Sequence, residues 1–456
     1  MPSASSAVPD RSAPPNLWRD SDFRRLWIGQ TASQLGESAS LVILPLIAVL
    51  TLKVDAGELG ALRAVGQAPI LLLSLFAGAW VDRWRTRTVM VLADLGRALA
   101  LGGAAVAALL GGLGLPTLLV VALAVGALSV FFDVADQASL VRLLKRDQLL
   151  RANSAIEGSR SAAQIGGPAL GGALVSLLSA PIAAGCSALF FVLSFRSIAR
   201  IRHRESIPER SGRPARVWRQ IHQGVRFVAG DSSLRTVGLA SAAYQFCFAA
   251  TMTAYLVFLP RELHLSGTAV GLALAATGPG ALVGSLLAAR LPSRFGYGAV
   301  LVSAAAVGDG VMLCVPALHG PPAADASPAA PAAPAVTILL LVAINFVFGT
   351  FGQLVNVTVM AVRQAVTPDG MQGRAAATIT FAGMGLTPFG SLLGGFLAQE
   401  WGLRTALVVT AAGMMLSPVL MALSPLVRLG RELPSSPDAP PPARRSKAGR
   451  DTGTTT

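Results

Sequence analysis

The stretch Gly78-Ala79-Trp80-Val81-Asp82-Arg83-Trp84-Arg85-Thr86-Arg87 lies between two long apolar runs, and its reading decides the fold. Runs of roughly 17 to 25 mostly apolar residues suffice to cross a bilayer as helices. The stretch is therefore a tight, strongly charged turn joining two membrane helices. Asp82 falls at the C-terminal end of its helix, where the macrodipole is negative and a carboxylate is disfavoured. It requires a partner.

Composition agrees with this reading. Apolar residues make up 53% of the 456 positions and charged residues 13%, against roughly 25% charged in a soluble domain. Mean hydropathy is +0.60. The formal charge of +14 would point to a nucleic-acid partner in a soluble chain. Here the arginines sit in short segments between apolar runs, where they act as topology signals, so no nucleic-acid partner is expected. Cys186, Cys247 and Cys314 are scattered within apolar segments without metal-ligand or disulfide spacing and read as small packing residues. The polar start, Met1 to Ser21, lacks a cleavable secretory signal, so the first membrane helix is expected to be retained as the anchor.

Apolar runs near 24–52, 58–81, 87–111, 115–141, 152–178 and 181–200 are followed by a second set near 233–260, 267–290, 297–318, 335–361, 375–399 and 402–426. Arg and Lys concentrate at every second connection, as at Arg24/Arg25, Arg83/Arg85/Arg87, Arg142/Lys145/Arg146, Arg290/Arg294 and Arg363/Arg374. Those ends are expected to face the cytoplasm, with both termini. The expected organisation is a disordered start (1–22), a first six-helix bundle (23–201), a basic linker (202–232), a second bundle (233–428) and a disordered tail (429–456).

A long-range repeat supports the two halves. Arg151 is followed twenty residues later by Gly171-Gly172, and Arg374 at the same offset by Gly394-Gly395, each pair preceded by a proline, Pro168 or Pro388. Gly60 and Pro69 likewise match Gly271 and Pro279 to within one residue. The expectation is an all-α integral membrane protein of 12 transmembrane helices in two pseudo-symmetric bundles.

On these residues the chain resembles the major facilitator superfamily, from Phe23 to about Arg428. Gly78, Asp82, Arg83, Arg85 and Arg87 look like its cytoplasmic gate signature, although Arg85-Thr86 stand where the usual pattern has Gly and a basic residue. Phe23-Arg24-Arg25-Leu26-Trp27 and Ser33-Gln34-Leu35-Gly36-Glu37 are similar to the enterobactin-exporter-like branch. Gly167, Pro168, Gly171 and Gly172 look like the element that marks antiporters. Proline removes a backbone donor and paired glycines admit a second helix, which together make a hinge or a packing site. The resemblance implies secondary-active export, driven by protons, at the cell membrane, by a monomer in the lipid bilayer.

Ionisable residues inside the spans are costly and need partners or a wet cavity. Asp94, Arg97, Asp133, Asp136, Glu157 and Arg160 are expected to form a charge network in the first half, with Glu157 and Arg160 able to meet at i and i+3. Such a network serves either the transport path or a brace for the gate. Glu37, farthest in sequence from an obvious basic neighbour, is the proton-coupling candidate, because an unpaired carboxylate is costly there and a proton neutralises it. Its bland alternative is a carboxyl satisfied by Arg63 or nearby hydroxyls. No Arg occurs from Leu118 through Leu140, where many proton-driven exporters carry one, so proton coupling rests on resemblance.

Gln34, Tyr244, Gln245, Tyr255, Asn345, Gln353 and Asn356 are the candidates for the substrate path. Aromatics, amides and aliphatic walls suit amphiphilic small molecules such as a drug, an antibiotic or a siderophore better than sugars or phosphates. No nucleophile and base pair, metal-ligand cluster or nucleotide loop is present, so neither catalysis nor a cofactor is expected. The alternatives are an importer or uniporter of the same fold, or a transport-inactive sensor or scaffold.

Overall fold

The computed structural model describes residues 17–81, 84–143, 148–178, 180–202, 214–320, 335–368 and 371–431. Both expected disordered tails, Asp82, Arg83 and part of the basic linker lie largely or wholly outside them. The described residues are nearly all helical. The first group comprises α1 (Ser21–Thr51), α2 (Ala56–Val81), α3 (Thr86–Leu109), α4 (Leu115–Leu143), α5 (Leu149–Leu177) and α6 (Ala180–Ala199). After α7 (Pro214–Gly230) come α8 (Ser232–Arg261), α9 (Gly267–Ala288), α10 (Tyr297–Ala317), α11 (Ala335–Val366), α12 (Arg374–Glu400) and α13 (Leu403–Ala422). Ten of these are long and apolar enough to cross a membrane, and α2 and α5 stand beside them as two more rods of 26 and 29 residues.

The two groups repeat one packing scheme. α1 packs on α5 and α6, α2 on α4, and α3 on α4 and α6. α8 packs on α12 and α13, α9 on α11, and α10 on α11 and α13, the same set with each label advanced by seven. The groups meet along two symmetry-related crossings, α2 on α12 and α5 on α9. The glycines of the repeat permit these crossings. A Cβ on Gly172 would stand 2.6 Å from Gly271 Cα, and one on Gly60 would stand 3.0 Å from Gly395 Cα.

Hydrophobic packing is distributed unevenly along the rods. At the end away from the basic connections, one continuous core joins both groups, running from Ala39 and Leu59 through Phe258 and Val270 to Leu407. At the basic end the core is divided, one part around Phe23, Met90 and Phe132, the other around Leu234, Leu301 and Ile379. The two groups are thus sealed together at one end and separate at the other. Leu41, Leu99, Leu189, Leu286 and Leu339 stay exposed on the outer faces, where an apolar bilayer rather than water suits them.

Proline shapes the second group more than the first. α9, α12 and α13 are interrupted at Ala276, at Gly385-Leu386 and at Met415, each within the turn before Pro279, Pro388 or Pro418. Proline lacks the N–H that would bond the residue four back and its ring crowds that carbonyl. The equivalent helices α2 and α5 run through Pro69 and Pro168 without interruption.

The linker holds an element that the sequence reading passed over. α7 is strongly amphipathic and lies against the start of α12, with Val228 buried and Arg374 Nη1 donating to Gln223 Oε1 at 3.0 Å. Its high arginine content masked the apolar period of Val217, Trp218, Ile221, Val225 and Val228.

Candidate functional site

The charged residues of the first half assemble around Arg97, whose side chain is fully buried. Its Nη2 donates to Asp94 Oδ1 at 2.5 Å and to Ser33 Oγ at 3.0 Å, and its Nη1 donates to Ser129 Oγ at 3.2 Å. Ser33 and Ser194 donate to the two oxygens of Asp94 at 3.1 and 2.5 Å. The rings of Phe132 and Phe191 lie 4.4 and 4.5 Å from the guanidinium carbon. A planar, weakly hydrated cation suits this sandwich, which combines cation–π contact with a fork of hydrogen bonds.

Glu37 is not isolated. Its Oε2 lies 3.6 Å from Arg97 Nη1, and its side chain is 25% exposed. Sixty residues and the whole of α2 separate Glu37 from Arg97 in the chain, so distance along the chain hid this neighbour, which is Arg97 rather than Arg63. The pair is longer than a hydrogen bond. Arg97 therefore holds Asp94 tightly and Glu37 loosely, and of the two carboxylates only Glu37 reaches solvent.

Asp133 lies within electrostatic reach of Glu37, Arg97, Asp136 and Arg160 and connects this cluster to a second one. There Arg160 Nη2 stands 3.8 Å from Asp136 Oδ2. The expected meeting of Glu157 with Arg160 does not occur. Arg160 reaches across to α4, and Glu157 stands exposed on a cavity wall with no ion pair among the described residues.

Around the charged turn, Gly78 lies in α2, Trp84 N–H donates to Val81 O at 3.1 Å, and Arg85 precedes α3 in extended conformation. Arg87 donates to the carbonyl of Ala199, tying the start of α3 to the end of α6. Thr86, the departure from the family pattern, is fully buried.

The antiporter-like segment of α5 faces two ways. Gly167 and Gly171 lie against Ser38 and Ala39 of α1, while Gly172 faces Gly271 of α9. Thr268 N–H donates to Ser176 Oγ at 2.6 Å, Ser391 Oγ to Gln67 Oε1 at 3.1 Å, and Arg261 to the carbonyls of Lys53 and Val54. These bonds cross between the groups on the sealed side.

Between the groups lies a cavity of about 690 Å³, with α5 as its wall on one side and α8 to α13 on the other. Tyr244, Gln245, Gln353 and Asn356 line it. Tyr255 and Asn345 do not. Both are buried near the sealed end, where Asn345 Nδ2 donates to Tyr255 Oη at 2.7 Å, so they brace α8 against α11. Gln34, half-buried in α1, is also absent from this wall. The sequence reading missed Phe248, which stacks between Tyr244 and Phe348 with ring centroids 5.6 and 5.7 Å apart. Its spacing of four from Tyr244 was the available signal. The serines and aromatics around Arg97 left no comparable trace, since they come from three other helices, α1, α4 and α6.

Two bundles related by an internal repeat, meeting at two glycine crossings around a central cavity, define the major facilitator fold. Residues 13–454 match the family model described as transmembrane secretion effector, and the chain belongs to that family of membrane transporters. It is similar to the multidrug efflux pump Tap of Mycobacterium tuberculosis, 28% identical over 428 residues, covering 89% of this chain and 93% of the relative. Tap of Mycolicibacterium fortuitum is 27% identical over 410 residues, covering 86% and 93%. In fold it resembles a bacterial homologue of the iron transporter ferroportin in an inward-facing state, with TM-score 0.69, 16% identity and coverage of 89% and 98%. A bacterial homologue of the lysosomal transporter Spinster, inward-facing and unoccupied, gives TM-score 0.63 at 13% identity, with coverage of 91% and 98%. The chain is a multi-pass membrane transporter, not an enzyme.

Proposed function

We propose that the chain is a proton-coupled exporter of amphiphilic small molecules, working by alternating access. In this reading the bundles 23–201 and 233–428 act as single bodies joined by 202–232, with twelve spans, both termini in the cytoplasm and one copy as the working unit. The observation that carries it is the cavity between the bundles, divided from its counterpart end by a continuous core. With the basic ends inside, the cavity faces the cytoplasm, where an exporter loads its cargo. Relatives that bear the name multidrug efflux pump support the outward direction.

Glu37 is the proton site in this reading, because it combines partial exposure with a loose hold on Arg97. A proton entering down a potential of 100 mV releases about 2.3 kcal/mol. For an uncharged cargo that sustains an outward gradient on the order of fifty-fold, whereas one-for-one exchange with a monocation moves no net charge and draws on the pH difference alone. The test is efflux of a fluorescent dye from cells and uptake into inverted vesicles, each with and without a protonophore. Efflux collapses with the protonophore, and Glu37→Gln reduces pH-driven transport at least tenfold. Transport by Glu37→Gln that still responds fully to the pH gradient removes Glu37 from the mechanism, and uptake into right-side-out cells reverses the direction.

A further inference from the structure

Asp309 is the one acidic residue of α10, and the Arg97 network does not include it. Its residue is only 5% exposed, yet it contributes to the cavity wall. Its carboxylate has no hydrogen bond or ion pair among the described residues. It lies twelve residues from Tyr297 at the start of α10, and Tyr244 lies twelve from Ser232 at the start of α8. Both therefore sit roughly 18 Å from the basic end. Tyr244 begins the stack that continues through Phe248 to Phe348, whose planes are within 7° and 12° of parallel. A deep, unpartnered carboxylate thus shares a layer with Tyr244, from which the aromatic ladder runs on toward the sealed end.

The cationic residues on the same wall do not answer it. Arg160 is held by Asp136 at 3.8 Å. Arg363 is three residues from the end of α11, roughly 5 Å from the basic end, and so stands at the mouth. A carboxylate withdrawn from water without a partner is costly, and a cation arriving from outside the protein removes that cost. Aromatic faces add attraction for the same cation and for flat rings attached to it. Gln245, Gln353 and Asn356 supply neutral hydrogen-bonding groups that do not oppose it.

We infer that Asp309 is the group that reads charge on the cargo, and that the preferred cargo is an amphiphilic monocation carrying an aromatic ring. The inference rests on the export reading and deepens it. Glu37 then serves the driving ion and Asp309 the cargo, while Glu157, the other carboxylate on the wall, is exposed and lies roughly 12 Å from the basic end, nearer the mouth.

The test uses the full chain in lipid nanodiscs and two probes with the same aryl groups, tetraphenylphosphonium, which is charged, and triphenylphosphine oxide, which is neutral. The unaltered protein binds the phosphonium more tightly. Asp309→Asn lowers the ratio of the two affinities about tenfold, and Asp309→Glu keeps the preference. Equal affinities in the unaltered protein overturn the inference without any variant, as does tight binding of the anion tetraphenylborate. An Asp309→Asn protein that keeps the full ratio also overturns it, whether or not transport is lost. Failure of the export reading is seen separately, as no energy-dependent efflux of either probe from cells, because the affinity ratio is measured without flux.

Discussion

Arg97 occupies a fully buried position and makes hydrogen bonds to Asp94, Ser33 and Ser129 while lying between two phenyl rings. Removing one member of a buried ion pair leaves the other uncompensated. Arg97→Ala is expected to cost about 3 to 5 kcal/mol, read as a large fall in the thermal midpoint of the detergent-solubilised protein. Pairing Arg97→Met with Asp94→Leu recovers most of that loss, because no buried charge is then left between them. If the double variant melts no higher than Arg97→Ala, the ion pair is not what the single substitution broke. Sequence alone identified Arg97 and Asp94 as buried charges needing partners. It did not show Glu37 beside them, because counting residues gives depth along a helix and not the direction a side chain faces. The same limit put Tyr255 and Asn345 on the cargo path when they in fact bond to each other.

At the scale of helices, the crossings of α5 with α9 and of α2 with α12 depend on the missing side chains of four glycines. A Cβ on Gly172 would stand 2.6 Å from Gly271 Cα and 2.8 Å from its nitrogen, both backbone atoms that cannot swing aside. Gly172→Ala is expected to disfavour the sealed arrangement by about 1 to 3 kcal/mol. A cysteine at Ser176, in a background lacking Cys186, Cys247 and Cys314, should then react faster with an impermeant thiol reagent added on the sealed side. Gly166→Ala, on the same helix with nothing within 4 Å of its Cβ, is the matched control. Equal rates in the two variants would show that the crossing does not hold that end shut. The repeat made these glycines and prolines legible, since their spacing recurs in both halves. α7 was not legible in the same way, because its arginines resemble those of an irregular basic linker.

At the scale of the whole molecule, a core shared by both groups at one end and separate cores for each at the other leave a cavity that, among the described residues, lies toward the basic connections. Ser285, on the cavity wall, tests this directly. In the same cysteine-free background, Ser285→Cys should be modified by an impermeant reagent in inverted vesicles and protected in intact cells, and equal labelling from both sides would contradict the picture. The fold at this scale was largely readable from apolar run lengths and the alternation of arginine, both consequences of placing a chain in lipid. The asymmetry between the halves was not. The buried ionic cluster belongs wholly to helices α1, α3, α4 and α5, whereas nearly all of the cavity lining comes from α8 to α13, three of which are interrupted next to proline. One half is accordingly a stiff engine block and the other a pliable mould. Substitutions in the mould can retune what is carried while the engine is left as it is.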